Sequence, residues 1–146
     1  MNRRRAIQAL AGAAAATLAA HRASAGTNEA ATTPSGQPEA VVRGRIQQDE
    51  GKPPVVVADD HKTYLVSGDE FLEAQMKDSH LNGRAVELRG HENGPGKFAA
   101  THMYTVKDGK RYDVTYWCDV CSIRTHMPGR CMCCQGPTEL QEIPVP

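Results

Sequence analysis

The chain has 146 residues, and its 17 basic and 17 acidic side chains leave no formal net charge. This length accommodates one small domain plus an appendage. With no excess of positive charge, neither a nucleic acid nor an anionic membrane is an expected partner.

The first 25 residues have the pattern of an export signal. Arg3, Arg4 and Arg5 precede a mildly apolar, alanine-rich stretch at 6–20, and Ala23-Ser24-Ala25 matches a cleavage site. The segment 2–7 resembles the twin-arginine export motif. The apolar stretch is shorter than the roughly 20 residues that span a bilayer, and no cysteine follows it to carry a lipid. We therefore expect a periplasmic or otherwise exported protein with no stable membrane anchor after signal removal.

Cleavage after Ala25 would change the charge of the chain. Four of the 17 basic residues and none of the acidic ones lie in the signal, so the mature chain would keep 13 basic and 17 acidic residues. The mature chain would carry a net charge of −4, which argues further against nucleic-acid binding by charge.

The next 88 residues or so divide into a polar linker and a segment rich in strand patterns. Residues 26–39 show no apolar periodicity and are expected to be disordered. From residue 40 onward, alternating side chains and intervening turn residues predict strands. The expected strands cover about 40–46, 55–57, 62–66, 84–90, 98–106 and 111–117. In the fifth strand, one face is expected to carry Phe98, Ala100, His102, Tyr104 and Val106.

A helix is expected between the third and fourth strands. Ser67 and Glu70 have the spacing of a capping box at its start. Its apolar stripe comprises Phe71, Leu72, Gln75 and Met76, and Asn82-Gly83 predicts its end.

Three strands, a helix and two further strands is the element order of an OB-fold. We therefore expect a mainly β protein with a small OB-like β-barrel at 40–113, and a generic small β-barrel or an α+β roll is the alternative. The cysteine lobe, residues 114–146, is expected to follow it as a short zinc-ribbon-like unit.

All five cysteines lie in the cysteine lobe, within a stretch of seventeen residues. They form two C-x-x-C pairs, Cys118 with Cys121 and Cys131 with Cys134. Because such a turn brings two sulfurs close together, two facing pairs predict a tetrahedral four-sulfur metal site. Cys133 is the alternative ligand, since adjacent cysteines are too cramped to bind one ion together.

The donor set limits both the metal and the chemistry. Thiolates select soft ions, so zinc is the expected cofactor, with iron and copper as alternatives. Four cysteine ligands fill a tetrahedral zinc site, which makes it structural and non-catalytic. Two disulfides with one free thiol are the competing interpretation for an exported protein. The twin-arginine pathway moves folded proteins, often with cofactor inserted, and this favours metal.

The cysteine segment resembles the small heavy-metal-binding domain of bacterial metal-resistance proteins, and equally a generic zinc ribbon. The resemblance rests on Tyr116, Cys118, Pro128-Gly129, a basic Arg130, and the Cys131 and Cys134 pair. It covers about 25 residues and implies metal binding. Cys121 stands where that family carries histidine, Asp119 where it carries proline, and Gln135-Gly136 where it carries Gly-Met.

The sequence leaves three function classes open. The first is an exported, non-enzymatic metal-binding protein. The second is a periplasmic redox protein, either an iron–thiolate electron carrier or a thiol–disulfide protein. The third is an interaction module whose barrel binds a protein or small molecule. The sequence contains no G-x-S-x-G, H-E-x-x-H or phosphate-loop motif, so no hydrolase is expected.

Overall fold

The computed structural model describes residues 38–146. The expected signal at 1–25 and nearly all of the expected linker at 26–39 lie outside the described residues. Residues 38–146 form eight strands, one α-helix and a short 3₁₀ helix. In chain order these are β1 (Ala40–Gln47), β2 (Val55–Ala58), β3 (Thr63–Ser67), α1 (Glu70–Met76), the 3₁₀ helix (Ser79–Leu81), β4 (Ala85–Glu92), β5 (Lys97–Lys107), β6 (Lys110–Cys118), β7 (Ile123–Thr125) and β8 (Glu139–Pro144).

The first five strands close into an OB-like barrel, as predicted. β1 pairs antiparallel with β2 and with β4, β2 pairs with β3, and β4 pairs with β5. A parallel pairing of β3 with β5 closes the circle, with Val66 opposite Phe98. α1 lies between β3 and β4 in the chain, which is the element order that the sequence predicted.

Successive strand residues point to opposite faces, so every second side chain points into the barrel. Large apolar side chains occupy these inward positions. Ile46, Val56, Leu88 and Phe98 are each at most 1% exposed. From α1, Leu72 and Met76 join the same core. This burial fixes the position of α1, whose other contacts reach the cysteine lobe.

The start of α1 differs from the capping box expected at Ser67. Asp69 is the N-cap, and its Oδ1 accepts a 2.8 Å hydrogen bond from the backbone N–H of Leu72. Ser67 is instead the last residue of β3. Pairing in the barrel keeps Ser67 extended, so the next acceptor side chain along the chain takes the capping role. Phe71, expected on the apolar stripe, is 42% exposed.

A bulge in β5 overturns the predicted alternation of that strand. Gly90 lies opposite Ala100 but Arg89 lies opposite His102, which leaves Thr101 without a counterpart in β4. The extra residue reverses the inward face, so Met103 and Thr105 are buried while His102 is exposed. Bulges bend a strand and increase its twist, and this one lies just before Tyr104, where the pairing of β5 with β6 begins.

The sheet continues beyond the barrel into the cysteine lobe. The C-terminal part of β5 pairs with β6, and β6 pairs with β7 and with β8. β6 crosses the expected boundary between 113 and 114 without a break. It thereby places Cys118 at the end of a strand anchored in the barrel sheet. Within residues 38–146, no helix has the length and apolar character needed to span a bilayer.

Candidate metal centre

The structure brings together the four cysteines that the spacing predicted as ligands. The sulfurs of Cys118, Cys121, Cys131 and Cys134 all lie within 4.8 Å of one another. The sulfurs of Cys118 and Cys134 are 3.5 Å apart. A zinc–sulfur bond of about 2.3 Å puts the sulfurs of a tetrahedral site about 3.8 Å apart. The cluster therefore has the dimensions of a four-thiolate metal site.

The first cysteine pair lies on the hairpin that joins β6 to β7. Cys118 ends β6 and pairs with Ile123 at the start of β7. Ser122, directly after Cys121, has a φ of 52°. This left-handed residue turns the chain back so that both sulfurs face the same side.

The second pair repeats this conformation on a separate loop. Gln135, directly after Cys134, has a φ of 59°. Its backbone N–H donates to the carbonyl of Cys131, and the N–H of Cys131 donates to the carbonyl of Gly136, both at 2.9 Å. An isolated bridge between Arg130 and Pro137 closes the base of the loop. Both cysteine pairs therefore lie on tight turns with a left-handed residue after the second cysteine.

The four sulfurs differ in their access to solvent. Cys118 and Cys131, the first cysteine of each pair, are 1% and 2% exposed. Cys121 is half-buried and Cys134 is exposed. The cluster therefore has an enclosed side and an open side.

The electrostatics of the cluster favour a bound cation. The backbone N–H groups of Cys134 and Cys133 lower the pKa of Cys131 to about 7. Hydrogen bonding to Cys133 and Cys134, together with burial, raises the pKa of the Cys121 thiol. The thiolate of Cys131 thus forms more readily than that of Cys121, and several negative sulfurs in so small a volume require a cation. A metal ion supplies that positive charge, so the donor set fits a soft metal.

Cys133 lies beside the cluster but does not belong to the group of four. It is exposed, and all five cysteines are free thiols. Its sulfur is not among the four that lie within 4.8 Å of one another. Its predicted status as the alternative ligand remains a prediction.

Two side-chain contacts that the sequence did not predict attach the cysteine lobe to α1 and the 3₁₀ helix. The Tyr116 hydroxyl donates to Oδ2 of Asp78 at 2.6 Å. The Gln75 amide donates to the carbonyl of His126 at 2.8 Å and to that of Val114 at 3.3 Å. For Gln75, the sequence did offer a signal: it is a glutamine on an otherwise apolar helix stripe. A buried amide requires hydrogen-bond partners, so such a contact could have been expected.

Comparisons of the chain with protein-family models, with curated proteins and with solved structures found no match. The geometry of the four cysteines is therefore the main guide to what the protein does.

Proposed function

We propose that this is an exported periplasmic protein that binds one zinc ion through Cys118, Cys121, Cys131 and Cys134. Its proposed role is binding or interaction, without catalysis. The observation that supports it most is the approach of those four sulfurs to within 4.8 Å on two turns of the same conformation. The resemblance of the segment to heavy-metal-binding domains and zinc ribbons supports the same assignment.

Zinc suits this donor set better than a hard cation. Thiolate sulfur is a soft ligand, and zinc accepts four of them in a tetrahedron without any redox change. Four protein ligands leave no coordination position for water or substrate. The site would therefore be non-catalytic, and the proposed role is non-enzymatic, with the barrel surface binding a partner protein or small molecule.

The metal would replace a hydrophobic core in the cysteine lobe. Between Asp119 and Pro146, all of which the structure describes, Cys131 is the one buried residue. The fully buried apolar core ends with side chains of β6, such as Val114 and Tyr116, and among the described residues beyond β6 only the partly buried Leu140 packs against it. A segment without a core is held by other means, and metal binding then supplies folding free energy directly.

Export follows from the predicted signal at 1–25 and remains a proposal with its own test. Changing both Arg3 and Arg4 to lysine should trap the full chain in the cytoplasm of a bacterial host, because the twin-arginine route requires that pair. Periplasmic accumulation of the double variant at the wild-type level would exclude this route.

A second candidate function uses the same four sulfurs. A four-cysteine site also holds a single iron, and such a protein would carry one electron rather than maintain a fold. The open Cys134 side would allow electron transfer at the surface. An iron–thiolate centre absorbs visible light whereas zinc does not, so colour distinguishes the two candidates.

Cobalt titration of the reduced, metal-free chain tests the proposed site. Co²⁺ in a tetrahedral thiolate site gives intense visible absorption and sulfur-to-metal charge-transfer bands. We expect these bands to saturate at one cobalt per chain and to vanish when one equivalent of zinc is added. Weak octahedral-type absorption, or no saturation at one equivalent, would contradict a four-thiolate site.

A further inference from the structure

We propose that the open side of the cysteine cluster is an exchange site, through which the bound metal passes to a thiol-bearing acceptor with Cys133 as the entering ligand. This inference rests on the proposed metal binding and deepens it. It assigns a function to the fifth cysteine, which the tetrahedral site does not use.

The exposure of the cysteines indicates the side from which an external ligand could reach the metal. Cys118 and Cys131 are almost fully buried, so no external ligand reaches the metal from that side. Cys134 is exposed, and the bond between its sulfur and the metal would face solvent. Cys134 could therefore be displaced while the buried pair still held the metal.

Cys133 is placed to assist that displacement. It is exposed, and it directly precedes Cys134 in the chain. Two adjacent cysteines are too cramped to bind one ion together, so Cys133 binds as Cys134 leaves. The other three sulfurs would hold the metal during the exchange, and Cys133 would take the fourth place as Cys134 leaves it.

The exchange step is balanced in bonds, protons and charge. The Cys133 thiol gives up its proton as its sulfur forms a bond to the metal, and the departing Cys134 sulfur takes up a proton as its bond breaks. The acceptor thiol then replaces the next ligand in the same way. Neither the metal nor any cysteine changes oxidation state, so no oxidant or reductant is required.

The surface around the open side suits a protein acceptor. Val120 and Met132 lie between the paired cysteines of the two turns and are 81% and 86% exposed. Ile123, at the start of β7, is 42% exposed. These apolar side chains beside exposed thiols would be covered by an acceptor that presents its own thiols between apolar residues.

The rate of metal transfer to a small dithiol tests the proposal. The full chain loaded with one zinc is mixed with dimercaptosuccinate, and the zinc left on the protein is measured with time after rapid desalting. We expect the rate to increase with dithiol concentration. We expect Cys133→Ser to retain one zinc but to transfer it about tenfold more slowly. Cys133→Ala should behave in the same way, which excludes an effect of the serine hydroxyl.

Glu139→Gln is the matched control, since it changes an exposed residue of the cysteine lobe outside this apolar surface and leaves every thiol in place. It should transfer zinc at the wild-type rate. Wild-type and Cys133→Ser chains that each carry one zinc and release it equally fast would overturn the exchange role while leaving the proposed function intact. Loss of zinc from Cys133→Ser would make Cys133 a resident ligand and also overturn it. A wild-type chain that binds no zinc would refute the proposed function itself.

Discussion

The hydroxyl of Tyr116 donates a 2.6 Å hydrogen bond to the carboxylate of Asp78. Tyr116 lies on β6, two residues before the first cysteine, and Asp78 caps the 3₁₀ helix that follows α1. Asp78 also accepts from the backbone N–H and the ring Nδ1 of His80. Burial and the Asp78 carboxylate raise the pKa of Tyr116, so the tyrosine stays a donor over the physiological range. The strand that carries Cys118 is thereby fixed to the helical side of the barrel.

Tyr116→Phe should lower the free energy of unfolding by about 1.5–3 kcal/mol, because it removes a hydrogen bond to a charged group. Urea denaturation followed by circular dichroism measures the change. Tyr112→Phe is the matched control, since Tyr112 lies on the same strand and is only partly buried. Equal effects of the two substitutions would mean that the Asp78 contact contributes nothing specific.

Gln75 makes the second connection between α1 and the cysteine lobe. Gln75→Met keeps the length and most of the volume of the side chain but leaves the His126 carbonyl without its donor. We expect a loss of about 1–3 kcal/mol of stability, the cost of an unsatisfied polar group. Lys77→Met, at an exposed position at the end of the same helix, should change stability by less than about 0.5 kcal/mol. If Gln75→Met loses no more stability than Lys77→Met, then Gln75 does not stabilise the connection between α1 and the cysteine lobe.

Glu87 predicts a pH dependence of stability. Its side chain is 3% exposed and contacts Arg43, Arg89 and Arg111. Burial alone would raise its pKa, but hydrogen bonds from Arg43 and Arg89 and the charge of Arg111 hold the pKa below its usual value. A carboxylate whose pKa is lowered by folding stabilises the fold at pH values above its unfolded-state pKa of about 4.3. This stabilisation is lost as the pH falls from that value through the lower pKa of the folded state.

Glu87→Gln should therefore be less stable than the wild type at pH 7, by about 1–2 kcal/mol once the exposure of Arg43 is considered. The difference should shrink as the pH is lowered below about 4. Any metal loss in acid affects both proteins, so their difference isolates the carboxylate. Glu50→Gln, an exposed carboxylate, is the control. A difference that does not change with pH would exclude this linkage.

The ligand assignment predicts unequal effects of cysteine substitutions. Cys118→Ser or Cys134→Ser should lower metal content and loosen the cysteine lobe, because each removes one of the four clustered sulfurs. Cys133→Ser should leave metal content and the melting temperature nearly unchanged. Metal analysis and thermal melts of the three variants provide the comparison. Equal metal loss in Cys133→Ser would transfer the ligand role to that residue.

The sequence contained enough to predict the barrel and the group of four cysteines. Local patterns carry both: strand periodicity and turn residues give the element order, and the C-x-x-C spacing pairs the sulfurs. The approach of Cys118 to Cys134 could be expected because two such turns in one short segment have few ways to satisfy their sulfurs.

The features that the sequence did not predict depend on long-range packing. The bulge at Thr101 depends on how β5 pairs with β4, which no property of that residue indicates. The Asp69 cap depends on Ser67 being held in β3. The β8 strand was missed because its pairing with β6 supplies order that its own pattern lacks. The links of Gln75 and Tyr116 likewise join residues 38 or more positions apart.

The metal content of the protein purified from the periplasm, with a free-thiol count on the same denatured sample, tests the central claim most directly. Inductively coupled plasma mass spectrometry gives the metal, and thiol titration under denaturing conditions gives the cysteines. We predict one zinc per chain and all five thiols titratable. Iron in place of zinc would support the electron carrier. A chain without metal in which a single thiol reacts would show two disulfides and contradict the metal centre.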